Sequence, residues 1–418
     1  MQNRISLIIA SGIMALTVGS LTAQNSTNSP YTRYGYGELA NNSFGAGRSM
    51  GGTGIGLRSS KQINPMNPAS YSSIDSMTFL FDFGASAQMS WYKDETSSQS
   101  DLNGNVEYMA MQFPLFKTVA MSIGLLPYSH VGYKFGQTKT ADGGQTYLET
   151  FEGQGGLNQL YAGLSVSLWK KRLSLGANVK YLFGEVSHNA TSVPSSASST
   201  YVSKTSDFRI KDAAMDFGLQ YTHPLSKSDL LTVGLTYSPK INLDNDTYQM
   251  ISSSEIVTDT LKGLSYDLPL SYAIGASYEK NNKFIVAADA SFQQWSKTSF
   301  AGRSGEFRNR MKIAAGGEWI PNFYSRPYFN RLRYRAGLSY ANSYVQTNGS
   351  GYKELSATIG VGFPISDARP NGARSFVNVS FEYMKIQPAY KSMVGEEYLR
   401  FTLSYTFNEY WFFKTKIR

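Results

Sequence analysis

The residues of this chain best suited to acid–base chemistry are three histidines, His130, His188 and His223, which stand far apart in the sequence. Nucleophilic hydrolysis needs a serine, a histidine and an orienting carboxylate within hydrogen-bond reach. No local motif marks such a set, so no catalytic residue is assigned and an enzyme is not expected. Asp244 and Asp246 come closest to metal-ligand spacing, but no further acidic ligands stand nearby to complete an oxygen shell. They read as turn residues, and neither a metal nor a cofactor is expected. The glycine-rich run Gly45–Gly56 resembles a phosphate loop only superficially. It lacks the closing Gly-Lys-Ser/Thr, and no strand precedes it. It reads as a compact segment whose backbone packs closely against other backbone. With no cysteine, disulfides and thiol chemistry are excluded.

The net charge of +9 raises the question of nucleic acid. The basic residues are scattered, however, and the densest group is Lys170-Lys171-Arg172. That is too short to track phosphates, so no nucleic-acid partner is expected. Aromatic residues make up 14% of the chain, while charged residues make up only 17%. This balance suits a surface that meets lipid.

The N-terminus carries an export pattern. Arg4 precedes an apolar run from Ile5 to Val18, and Gly19 to Ala23 offer a small-residue cleavage site. Residues 1–23 are read as a signal peptide. Beyond them no apolar run is long enough for a membrane helix.

From Ser76 onward the sequence alternates with period two. Leu399, Phe401, Leu403, Tyr405 and Phe407 share one face, opposed by Arg400, Thr402, Ser404 and Thr406. The same alternation recurs along the chain and gives about fourteen strands, an even number that suits a closed antiparallel barrel. Alternate links are tight, as at Lys170-Lys171, Lys227-Ser228 and Asn281-Asn282. The intervening links, such as 94–102, 191–199 and 244–262, are long and polar. Short turns on one side and long loops on the other match periplasmic and extracellular faces. Trp91, Trp169, Trp295, Trp319 and Trp411 fall near expected strand ends, as aromatic girdles require. The fold class is therefore all-β: a transmembrane antiparallel β-barrel in the outer membrane of a Gram-negative bacterium, with outer-membrane lipid around it.

Parity places several charges on the inner wall, among them Asp82, Asp289, Glu318, Arg333 and Arg335. Structural ion pairing is the first expectation for these. Arg310 and Lys312 are the candidates to hold a ligand carboxylate, Arg being suited to bidentate pairing. Pro127 interrupts the third strand where a ladder donor is needed, which predicts a local break or bulge.

The run Gly47-Arg48-Ser49-Met50-Gly51-Gly52-Thr53-Gly54, followed by Asn67-Pro68-Ala69 before the first strand, resembles the long-chain fatty-acid outer-membrane transporter (FadL-like) family. A PorV-like secretion shuttle branch is a relative. The resemblance implies an N-terminal hatch over 24–75 inside the lumen and a fourteen-stranded barrel over 76–418. Gly47, Gly51, Gly52, Gly54, Asn67, Pro68 and Ala69 would form the hatch motif. It further implies a kink in the third strand, here near Gly124 and Pro127, that opens the wall sideways. The implied function is hatch-gated, passive transport of small hydrophobic molecules such as long-chain fatty acids. The alternative is a secretion-associated or structural barrel that binds protein partners. On either reading the outer-membrane assembly machinery is an expected partner. Ahead of Asn67 stands Lys61-Gln62-Ile63-Asn64-Pro65, where the family often has an acidic residue.

Overall fold

A computed structural model describes residues 26–95, 97–141, 144–195, 201–253, 256–322, 325–347, 349–365, 375–390 and 393–410. The expected leader, 1–23, and Trp411 lie outside the described residues.

Fourteen long strands form the wall: β1 (Thr78–Lys93), β2 (Ser98–Pro114), β3 (Val119–Thr140), β4 (Thr146–Leu168), β5 (Leu173–Pro194), β6 (Val202–Pro224) and β7 (Asp229–Ser238), followed by β8 (Ser271–Lys280), β9 (Phe284–Gln293), β10 (Arg310–Trp319), β11 (Arg333–Asn342), β12 (Tyr352–Pro364), β13 (Phe376–Pro388) and β14 (Gly395–Tyr410). Each pairs antiparallel with the next. β14 pairs back onto β1 from Phe79↔Glu409 to Lys93↔Gly395, which closes the ring. Closure satisfies the main chain within the sheet, as a lipid surrounding requires.

The two faces are inverted relative to a water-soluble protein. Leu160, Leu164, Phe217, Leu235, Ile274, Ile359 and Leu403 are exposed, whereas Ser165, Asn178, Gln220, Thr402 and Asn408 are buried. An exposed apolar belt of this extent is stable only against hydrocarbon. The protein is an outer-membrane barrel of a Gram-negative bacterium. Two of the tight turns explain the register between their strands. Lys170 and Lys171 have φ of 55° and 67°, and Asn281 and Asn282 have 55° and 53°. Paired positive φ values give the mirror-image turns that match strand twist.

Several expected boundaries shift at the extracellular end. The seventh strand stops at Ser238, before Pro239. Residues 241–243 instead pair with 266–268 in a separate sheet. The span 244–262, expected as a plain loop, forms a hairpin (Asn245–Ser252 and Ile256–Leu261) that pairs onto β6. Trp295 is not at the lipid interface. It is fully buried in a core with Tyr36, Phe208, Tyr266, Phe307 and Tyr344, which fills the outer end of the lumen. Its Nε1–H donates to Gln293 Oε1 at 3.0 Å, so the polar edge is satisfied without the interface.

β3 to β6 are 22, 23, 22 and 23 residues long, about twice the length needed to cross a membrane. A crease runs across them: a bulge between Pro127 and Ser129, positive φ at Gly155 and Gly156, and at Gly184. Beyond it the outward residues turn polar, as with Glu185, Ser187 and Asn189. The upper halves of these strands therefore stand outside the membrane.

Candidate functional site

Residues 26–75 run through the ring of strands and touch it on nearly every side. A side chain at Gly176 (β5) would overlap Pro68 and Ala69, and one at Gly218 (β6) would overlap Asn67 and Pro68. At Gly234 (β7) it would meet Ile55, at Gly316 and Gly337 (β10 and β11) Met50 and Gly51, and at Gly360 (β12) Ser49. These inner-face glycines admit a densely packed segment. Sequence reading passed over them because each looks like an ordinary small residue in an alternating strand.

The glycine and Asn-Pro-Ala motif residues make these contacts. Gly47 lies in a short helix, Gly45–Ser49. Gly51 and Gly52 turn with φ of 72° and 79°, and the Gly51 N–H donates to Thr358 Oγ1 at 2.8 Å. The N–H groups of Gly54 and Ile55 donate to Asp289 Oδ2 at 2.6 and 2.9 Å, so this inward carboxylate clamps the segment. Asn67 Oδ1 accepts from the Ala69 N–H at 3.1 Å, capping the 3-10 helix Pro68–Ser73. Its Nδ2 donates to the carbonyls of Ile55 (2.9 Å), Leu219 (3.2 Å) and Leu235 (3.4 Å). One buried amide thus ties the segment to itself and to two strands.

The wall is not uniform. β2 and β3 pair only from Met109↔Leu125 to Pro114↔Ala120, although β2 begins at Ser98 and β3 continues to Thr140. On its other side β3 stays paired with β4 through to Thr140↔Thr146, across the bulge at Pro127. Gly124 lies in the paired part, opposite Ala110 and Tyr161. Pro127 lies just beyond the point where the β2 ladder stops. The edge of β3 above it is covered by the N-terminal segment: Glu38 pairs with His130 and Leu39 with Ser129. The Ala40 N–H donates to the Tyr128 carbonyl at 3.0 Å, and the Gly132 N–H donates to Thr32 Oγ1 at 3.1 Å. On the β2 side Asn105 Nδ2 donates to the Ser26 carbonyl at 3.0 Å.

Above the segment lies a cavity of about 320 Å³ whose lining includes Glu38, Arg310, Lys312, Glu354, Glu382 and Arg400. Arg310, expected as a ligand group, is engaged bidentately by Glu354 at 2.6 and 2.7 Å. Lys312 has no carboxylate within ion-pair distance among the described residues. Arg400 reaches Glu38 and Glu382, each at 3.4 Å. Glu318 is held by Arg333 at 2.8 Å and Arg335 at 2.7 Å. Most inner-wall charges are therefore spent on pairing, and the cavity lining mixes them with apolar side chains such as Leu39, Leu182, Ile241 and Phe292. Among the described residues no group of His, Asp and Glu could hold a metal.

Several solved structures share this fold. The toluene transporter TbuX of Ralstonia pickettii aligns with a TM-score of 0.58 at 15% identity, covering 87% of this chain and 98% of that one. A FadL homologue of Pseudomonas aeruginosa gives 0.58 at 14% identity, with 90% and 99% covered. The toluene transporter TodX of P. putida gives 0.57 at 15%, with 89% and 100% covered. At such identities the likeness is one of fold, a FadL-like barrel. No curated protein matches in sequence. The family described as BamG matches residues 2–418, virtually the whole length, and the chain belongs to that family.

Proposed function

We propose that this barrel passes small hydrophobic molecules bearing a polar or acidic head across the outer membrane by passive diffusion, with residues 24–75 as its hatch. The observation that carries this reading is the missing β2–β3 ladder, where the edge of β3 is covered by a separate piece of chain, residues 38–40, rather than by its neighbouring strand. Such a piece can leave while the rest of the wall stays paired, and the space it vacates opens sideways to lipid. The cavity behind it joins apolar side chains to a few charged groups, which suits an apolar molecule with a polar head, and Lys312 is the available cation. The toluene transporters that share the fold support the general class of cargo. The test is uptake of a labelled long-chain fatty acid by cells with and without the protein. Loss on deletion and recovery on complementation supports the reading; equal uptake contradicts it.

A second reading is an accessory barrel that binds protein partners. The filled outer end of the lumen favours it, as does membership of the BamG family, which hints at the outer-membrane assembly machinery. Under that reading deletion lowers the amount of other barrels in the outer membrane and leaves fatty-acid uptake unchanged.

A further inference from the structure

At the periplasmic end of the segment, beside the tight turn at Lys170-Lys171, a second cation lacks a counter-charge. The Arg58 guanidinium donates to Ser174 Oγ (2.5 Å), Gln220 Oε1 (3.5 Å), Ser167 Oγ (3.2 Å) and Ser72 Oγ (3.3 Å). Every one of these acceptors is neutral. Arg48, Arg310, Arg333, Arg335 and Arg400 each have a carboxylate within ion-pair distance. Burial without compensation lowers the Arg58 pKa to about 10, so it remains charged at neutral pH. A half-buried charge in that state is stabilised by any anion that can reach it.

The structure provides the space for one. A cavity of about 280 Å³ adjoins Arg58, with Phe44, Met50, Leu57 and Ile63 forming an apolar part and Lys171 contributed by the turn. Glu279 and Glu318 line it from β8 and β10, and Glu318 is already neutralised by two arginines. The volume sits just below the roughly 300 Å³ at which ligand pockets begin, which favours a short chain. The Nε–H of Arg58 has no partner among the described residues and is the donor left for a ligand.

We propose that this is a binding site for a single-tailed amphipathic anion, its carboxylate or phosphate monoester on Arg58 and Lys171 and its tail among Phe44, Met50, Leu57 and Ile63. The site lies on the opposite side of the segment from the Lys312 cavity, beside the turn that carries Lys171. It does not depend on sideways passage through the wall, and it stands or falls separately.

The experiment is calorimetric titration of the purified full-length protein in zwitterionic nanodiscs with octanoate, octyl phosphate, octyltrimethylammonium and inorganic phosphate. The expected result is a saturable site for octanoate or octyl phosphate, separate from any binding at the Lys312 cavity, and none for the cation; the better of the two anions tells a free acid from a phospholipid-like head. Inorganic phosphate binding much more weakly shows that the tail contributes. Arg58→Gln weakens the anion about tenfold or more, the scale of a lost charge-assisted pair. Leu57→Trp, which fills the cavity and leaves Arg58 in place, abolishes binding at this site, and heat-modifiability on gels verifies that both variants fold. Equal binding of the cation, or anion binding unchanged in both folded variants, overturns the proposal.

Discussion

Arg48 and Glu107 form a buried ion pair at 2.9 Å that joins the N-terminal segment to β2 beside the break in the wall. A register shift between Gly84 and Ala85 leaves Glu107 without a partner on β1 and turns it inward next to Tyr108. The bulge thus creates the anchor. Removing one partner strands a buried charge, so Arg48→Ala loosens the segment by about 3–5 kcal/mol. Replacing both by apolar residues, Arg48→Met with Glu107→Leu, is close to neutral. Hydrogen exchange of residues 26–56 measures the difference. Equal protection in Arg48→Ala and the native chain contradicts the anchoring role.

The close approach at Gly337 makes a sharper prediction. Its inner face lies against Met50 and the Gly51 nitrogen, both main chain and unable to yield. Gly337→Val unseats the segment while the barrel still closes. Gly263, with open space around it, is the control position for substitution. Limited proteolysis then cuts within 40–60 in Gly337→Val and spares Gly263→Val, although the latter carries backbone strain from a φ of 73°.

Asn67 separates capping from tethering. Asn67→Asp keeps an acceptor for the Ala69 N–H but loses the donor to three carbonyls, whereas Asn67→Ala loses both. A cap alone is worth about 0.5–2 kcal/mol. If the donor dominates, Asp is at least as damaging as Ala, because a carboxylate would face carbonyl oxygens. Thermal unfolding of the two variants in detergent decides it; an Asp variant of native stability would reduce Asn67 to a cap.

How much of this was readable in the sequence follows from how local each signal is. The strands of the closed wall were legible because lipid outside and polar contacts inside impose strict alternation, as at Leu399 to Phe407. The tight turns were legible from their Lys-Lys and Asn-Asn pairs. Pro127 marked the place where the β2 ladder fails, since a missing donor is a local property. What sequence could not supply was which partner each inward group finds. Arg310 looked like a ligand group until Glu354, 44 positions away, closed on it. Trp295 looked interfacial because strand position says nothing of the loops that bury it. Parity also failed past the bulge: Val119, Met121, Ile123 and Leu125 face outward, but Val131 and Tyr133, also odd-numbered, are buried.

The extracellular end carries a pH prediction. His188 lies beyond the crease, outside the membrane, with Tyr133 Oη at 2.7 Å from its Nδ1. Burial, and then the nearby Arg33, lower its pKa to about 4. Because the folded value is depressed, the neutral ring contributes stability that is present above the unfolded value near 6.5 and is lost as pH falls through about 4. Arg33 itself stacks on Phe151, 3.7 Å from the ring centroid, so acid sets two cations against each other. Acidification from pH 7 to 4 therefore loosens residues 30–36, read by fluorescence of a label on Tyr34→Cys. His188→Gln blunts this response; an unchanged pH profile in that variant excludes the histidine as its origin.

The central claim is that residues 38–40 are a removable cover over a sideways opening. Leu39 and Ser129 are directly paired across the cover and the β3 edge, a spacing compatible with a disulfide. The chain has no native cysteine to interfere. Leu39→Cys combined with Ser129→Cys locks the cover when oxidised. The predicted result is uptake of labelled fatty acid that falls to the level of cells lacking the protein under oxidation and returns on adding reductant. Uptake that proceeds equally well through the locked, correctly folded barrel would contradict the account.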